Sequence, residues 1–154
     1  MPKLYRICRS IFADDLSGEG SKIKGGRWNS KGLPVLYCSE SRALATLELL
    51  VHTSYELNQR NLSLVTLHLP DNIKIIQVKI NQLPKDWKNY PAPRTLAIIG
   101  DEWLKKNETL ALKIPSVIVK EEFNYMLNPV HKDFKKVKII SKEKFLFDNR
   151  LGKK

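Results

Sequence analysis

The sequence predicts an α+β fold: one domain over residues 1–154, built on a mixed sheet with flanking helices. Three observations carry this expectation. Apolar runs of strand length recur along the chain, among them LSLVTLHL at 62–69 and IKIIQVKI at 73–80. Two other stretches, one following Ser41 and one spanning 94–106, instead repeat their apolar residues at the three-and-four spacing of a helix. A length of 154 residues with 42% hydrophobic content suits a single core that needs no disulfide or metal staple.

In chain order, residues 4–8 (LYRIC) read as a first strand, and 14–32, rich in Gly, Ser, Asp and Lys, as a long ordered loop. Residues 35–38 (VLYC) form a short strand bounded by Gly32-Leu33-Pro34 and Ser39. Ser39 or Ser41 then caps a helix whose Ala43, Leu44, Leu47, Leu50 and Val51 are expected to share one buried face. Glu48 stands outside that set, about 40° beyond Leu44 at 100° per residue, so the helix offers one carboxylate at the border of its apolar face.

Pro70-Asp71-Asn72 between the 62–69 and 73–80 strands is a turn signal and predicts a hairpin or sheet corner. Leu96, Ile99 and Trp103 give the 94–106 helix its core side. Pro115 within 110–120 marks an edge, a bulge or a strand end. A basic strand at 134–140 closes the domain.

The formal charge is +11, and residues 131–154, with nine Lys or Arg against three Asp or Glu, carry more than half of it. Such a segment steers anions, acidic partners or nucleic acid, or simply solvates a face. No stretch approaches the about 18 unbroken apolar residues of a membrane span, and the first residues lack a signal-peptide apolar region, so a cytoplasmic protein is expected. Cys8 and Cys38, the two cysteines, lie in no CxxC or Cys/His cluster, which argues against a metal site and for buried strand thiols. His52, His68 and His131 are scattered, so a hydrolytic triad is not expected. The chain has no GxGxxG, which disfavours a dehydrogenase using a dinucleotide reversibly.

The most informative stretch is GGRWNSKGLPVLYCSESRALATLELLVH at 25–52, together with YRI at the start, IPSVIV at 114–119 and NYMLNP at 124–129. This pattern resembles the RES-domain toxins, a family named for a motif Arg, Glu and Ser. The resemblance extends over nearly the whole chain and makes those residues Arg27, Glu48 and Ser116, with Arg6 and Tyr37 lining the same pocket. It implies a fold like that of the ADP-ribosyltransferases, NAD+ as substrate with no resident cofactor, and a toxin whose partner is a Xre-type antitoxin. Nucleic acid would then be reached only through the antitoxin, and the oligomeric state is open.

Under that resemblance the chemistry is cleavage of the nicotinamide–ribose bond, by hydrolysis or phosphorolysis. The alternative is transfer of ADP-ribose to a specific host protein. A second alternative, from the charge alone, is a basic nucleic-acid-binding module. A carboxylate such as Glu48 suits the oxocarbenium-like charge that develops on the ribose. The guanidinium forks of Arg27 and Arg6 suit pyrophosphate. Tyr37 offers a stacking face, Ser116 a hydroxyl for the amide or a phosphate, and Lys22, Lys24 and Lys31 make the Arg27 loop electropositive. Trp28 is expected to pack that loop down. In NYMLNP the reading is mainly structural, with a pocket contact allowed for Asn128.

Overall fold

The computed structural model describes residues 2–52 and 61–152. Among these residues all seven strands join one sheet in the order β4-β5-β6-β2-β1-β3-β7, formed by β1 (Lys3–Arg9), β2 (Leu36–Ser39), β3 (Leu62–His68), β4 (Ile75–Gln77), β5 (Ala111–Pro115), β6 (Phe123–Leu127) and β7 (Lys138–Phe145). The sheet is mixed as expected: β4 runs parallel to β5 and every other pair is antiparallel.

One junction in this sheet is thin. β1 pairs with β3 over seven positions, yet with β2 at the single position Tyr5–Ser39. Two half-sheets, β4-β5-β6-β2 and β1-β3-β7, therefore meet at one bridge. Register continues from that bridge across the first half: Ser39 opposes Asn124, and Asn124 opposes Ile114. Directly opposed residues of antiparallel strands project from the same face, so the row Tyr5, Ser39, Asn124, Ile114 gathers side chains at the place where the sheet opens.

Among the described residues three α-helices complete the fold: α1 (Glu19–Lys24), α2 (Arg42–His52) and α3 (Arg94–Lys106). α1 lies inside the stretch expected to be loop; the six-residue turn is too short and too polar to register as a periodic signal. α3 matches its predicted span. Its Leu96, Trp103 and Leu104 are buried against Leu112, Ile114 and Met126 in one core cluster. The indole Nε1 of Trp103 donates to Thr109 Oγ1 at 2.8 Å, so Trp103 is core, as read. A second cluster gathers Leu4, Leu36, Cys38, Val65, Leu67, Leu69 and Leu127.

Four local expectations need correction. β3 and β4 form no hairpin: they lie near opposite ends of the sheet, because the Pro70-Asp71-Asn72 turn ends β3 without returning the chain to it. The 73–80 run is strand only over Ile75–Gln77, and the last strand begins at Lys138 after a 3-10 turn rather than at 134. The fourth concerns α2. Ser41 does cap it, its Oγ accepting the Leu44 N–H at 3.0 Å, but the buried residues are Leu44 and Ala45. Ala43, Leu47 and Val51 are exposed, Val51 at 61%. The helix is turned so that Glu48 and Leu49, not Leu47, face inward to a cleft. Pro115, by contrast, is the last residue of β5, one of the three positions foreseen for it.

Candidate active site

The loop after α1 is built to hold one arginine. Gly26 and Asn29 pair through their backbones, Gly26 N to Asn29 O at 3.0 Å, closing a tight turn with Arg27 and Trp28 between them. Trp28 is 2% exposed and packs into the α3 cluster, as expected of it. Close approach requires glycine twice here. A Cβ on Gly26 would stand 2.9 Å from the Tyr37 hydroxyl, and one on Gly100 of α3 would collide with the Trp28 carbonyl. Ser30 N–H donates to Asp101 Oδ1 at 2.8 Å, fastening the loop to α3 from the other side.

Arg27 leaves this turn half-buried. Its Nη1 donates to the carbonyls of Trp87 and Asn89 at 3.0 and 3.1 Å, which orients the guanidinium through the backbone of a segment 60 residues away. Burial pulls the Arg27 pKa below its ordinary value, opposed by the neighbouring charge of Glu48. An arginine remains protonated under such a shift, so the site carries a fixed cation close to a carboxylate.

Glu48 is held by donors converging on one oxygen. Asn124 Nδ2 donates to Oε1 at 2.6 Å and Ser116 Oγ donates to the same atom at 3.0 Å. The direction of the Ser116 bond is set by its other partners: the Ile118 and Val119 N–H groups both donate to Ser116 Oγ at 3.1 Å, leaving its hydrogen for Glu48. The second oxygen, Oε2, is 4.0 Å from His52 Nε2, beyond hydrogen-bond reach. One edge of the carboxylate is thus anchored and the other is left for a ligand.

Tyr37 is anchored through its hydroxyl and presents its ring. The OH donates to Asn29 Oδ1 at 2.6 Å and accepts the Trp28 N–H at 3.3 Å. Burial pushes its pKa far up, so it acts as a neutral aromatic surface and not as a base. Asn29, 1% exposed, also donates through Nδ2 to the Ser21 and Leu33 carbonyls, locking Tyr37 to the Arg27 turn. Arg6 reaches across the loop, its Nη1 donating to the Asp15 carbonyl at 2.9 Å.

These groups surround a cleft of about 1020 Å³ lined by both strands of the thin β1–β2 junction, by α2 and by the Arg27 loop. Arg6, Arg27, Tyr37, Glu48 and Asn124 line it together; Phe12, Ile23, Val51 and the 86%-exposed Tyr90 form apolar parts of its rim. Ser116 is not among the lining residues. It is 4% exposed and reaches the site through Glu48, so the hydroxyl expected on a substrate amide or phosphate is instead engaged with the carboxylate.

Asn128 does not join the group. It is fully buried, its Nδ2 donating to Asn107 Oδ1 at 2.9 Å and to the Leu104 carbonyl, and its Oδ1 accepting the Val130 N–H. It braces the turn after β6 against the end of α3, which is the structural role of an Asn-Pro turn. The asparagine at the site is Asn124, four residues earlier. The signal that could have found it is strand alternation: Asn124 and Met126 share a face of β6, and Asn124 is the polar residue on it.

Cys38 follows the expectation of a buried strand thiol, whereas Cys8 is only partly buried. Both are free thiols on strands; burial raises the pKa of Cys8 and pushes that of Cys38 up to about 12. Among the described residues no three His, Cys, Asp or Glu side chains form a metal-binding group, and no helix is long and apolar enough to cross a membrane.

Comparison with known proteins bears on the family of the chain. The chain is 40% identical over 149 residues to a Prs ADP-ribosylating toxin of Sphingobium sp., covering 95% of this chain and 92% of that protein. It is 39% identical over 153 residues to a Toxin Res of Photorhabdus laumondii, covering 97% of each. Among solved structures, the Mycobacterium tuberculosis MbcT–MbcA toxin–antitoxin complex contains a chain of the same fold, with a TM-score of 0.79 at 17% identity over 94% of this chain and 84% of that one. Residues 3–148 match the model of the RES domain, and with relatives this similar along their whole length the chain belongs to the RES domain family of toxins.

Proposed function

We propose that this chain is the toxin of a toxin–antitoxin pair, and that it binds NAD+ in the cleft and cleaves the nicotinamide–ribose bond. The observation that carries the reading is the Glu48 carboxylate, pinned through Oε1 and open at Oε2, in a cleft shared with two arginines. As the glycosidic bond breaks, its electron pair leaves with nicotinamide, which departs neutral, and positive charge grows on the ribose. Glu48 stabilises that charge. Arg27 and Arg6 neutralise the pyrophosphate, and the Tyr37 ring covers a flat face of the ligand and excludes water. Water or inorganic phosphate then completes the bond at the anomeric carbon that nicotinamide left, C1″ of ADP-ribose, so NAD+ is substrate and is consumed.

A second reading is favoured by one observation, the 40% identity to a toxin named for ADP-ribosylating Prs. In it the same activated ribose is transferred to a nucleophilic side chain of a protein. The site chemistry is common to both readings and only the acceptor differs. Purified protein incubated with NAD+, with and without phosphate and with and without a cell extract, separates them by product. Free ADP-ribose marks hydrolysis, ADP-ribose phosphorylated at C1″ marks phosphorolysis, and a labelled protein band marks transfer. Intact NAD+ under all four conditions would refute both.

The partner is an antitoxin of the Xre type. The cleft rim combines apolar side chains with Arg27 and Lys88, which fits a partner segment ending in a carboxylate that occupies the pyrophosphate donors. Complex formation should then protect residues 25–32 from hydrogen exchange. Binding that leaves that loop unprotected and the cleft open to NAD+ would exclude occlusion.

A further inference from the structure

The Glu48 carboxylate is held by a relay that starts on a different strand. Ser39 of β2 is 5% exposed, and its Oγ donates to Asn124 Oδ1 at 2.7 Å; Asn124 of β6 in turn donates through Nδ2 to Glu48 Oε1 at 2.6 Å. Chemistry fixes the sense of the chain. An ionised carboxylate only accepts, so the amide must turn its NH2 group towards Glu48, which leaves its carbonyl oxygen towards Ser39. Without a donor at Ser39 that oxygen would lose its protein partner, and rotation of the amide by half a turn would set it against the carboxylate. Ser39 therefore selects the amide orientation that Glu48 needs.

We propose that Ser39 and Asn124 are positioning residues for Glu48: the pair fixes where Oε1 sits and thereby aims Oε2 into the cleft. Glutamate has three side-chain torsions, and catalysis by a charge depends on its being preorganised where the transition-state charge appears. Ser116 constrains the same oxygen from the β5 end, so the carboxylate is held from two strands. Cross-strand register alone would account for Ser39 contacting Asn124. It does not account for the third atom, Glu48 Oε1, closing the chain at 2.6 Å. Neither Ser39 nor Asn124 has to touch the reacting atoms.

This inference rests on NAD+ cleavage as the function, and its test has a readout that does not. In 15N-labelled protein the Asn124 side-chain amide bonded to Glu48 should give a downfield proton protected from exchange with solvent. Ser39→Ala should weaken that protection and Ser39→Thr, which restores the hydroxyl, should recover it. With NAD+, Ser39→Ala should lower kcat about fivefold, the size of one neutral hydrogen bond, with KM within twofold and an unchanged fold by circular dichroism. Ser39→Thr should regain most of that rate. Asn124→Leu, which removes the link while conserving bulk, should lower kcat further, again with little change in KM.

A folded Ser39→Ala protein with wild-type kcat and an undisturbed Asn124 amide would overturn the relay. Equal losses in Ser39→Ala and Ser39→Thr, or losses of thermal stability with kcat unchanged, would overturn it too, because they mark a purely structural pair. If the amide responds as expected in protein that consumes no NAD+, Ser39 and Asn124 still position Glu48, and it is the NAD+ reading that falls.

Discussion

Replacing Glu48 with glutamine separates charge from shape at the centre of the site. The amide oxygen of Gln can still accept from Ser116 Oγ and Asn124 Nδ2, the two bonds at 3.0 and 2.6 Å that hold Oε1, so the side chain stays in place. What disappears is the negative charge facing the cleft. A full unit charge about 4 Å from a developing cation, at an effective dielectric constant near 20, contributes about 4 kcal/mol. The ribose carries only part of a unit charge in the transition state, which leaves about 3 kcal/mol, or a kcat loss of roughly 10²–10³-fold. Weakening two charge-assisted hydrogen bonds to neutral ones should lower stability by only about 1 kcal/mol. The assay is the initial rate of nicotinamide release over a range of NAD+ concentrations, with thermal unfolding as the control. A well-folded Glu48→Gln protein whose kcat is within about threefold of wild type would refute the electrostatic role of Glu48.

Arg27→Lys keeps one charge but cannot span both the Trp87 and Asn89 carbonyls and still present a fork; KM for NAD+ should rise roughly tenfold with a smaller effect on kcat, and an unchanged KM would reduce Arg27 to a point charge. Ser116→Ala removes the donor to Glu48 and also the acceptor of two backbone N–H groups, so it should cost about 1–3 kcal/mol of stability by denaturant titration as well as turnover; full stability with full activity would contradict that double role. Gly100→Ala drives a methyl group into the Trp28 carbonyl and should destabilise the fold by about 1–3 kcal/mol while raising KM through displacement of the Arg27 turn; a neutral Tm would show that the loop yields easily. The Cys38 thiol, raised from 9.0 to about 12 by burial, stays protonated in the folded state after the unfolded chain has begun to ionise, so its contribution to stability is complete below pH 9 and is lost as pH rises from 9 towards 12. Tyr37, also raised by burial, adds to the same alkaline loss; chemical denaturation at pH 8, 9 and 10 checks the direction, and stability that increases over that range would contradict it.

Some of this protein is written locally and was legible before any tertiary contact was known. The span of α3 follows from its three-and-four spacing after Pro93, and β3 from its apolar run before Pro70, because helix and strand periods are properties of a few consecutive residues. The block around Arg27, with its paired glycines and following tryptophan, announced a turn holding an arginine, and Glu48 stood at the border of an apolar helical face. What periodicity could not say is what lay opposite each face. Leu47 and Val51 sit on the spacing of a buried stripe yet are exposed: Val51 borders the cleft and Leu47 lies outside it, since spacing is blind to what fills the space opposite each residue. Strand partners are equally non-local: the turn after β3 identified a chain reversal, but only the sheet as a whole sends β4 to its far edge and leaves β1 and β2 joined at one residue pair. Register then decided the site. It brought Ser39, Asn124 and Ser116, up to 85 positions apart in sequence, within hydrogen-bond distance of one another or of Glu48, and it left Asn128, four residues beyond Asn124, buried as a brace for a turn. The sequence by itself determined which reactive groups the chain carries and the elements that bear them; tertiary structure decided which of them meet, because hydrogen bonds act over about 3 Å while the chain that supplies their partners is ordered only by the sheet.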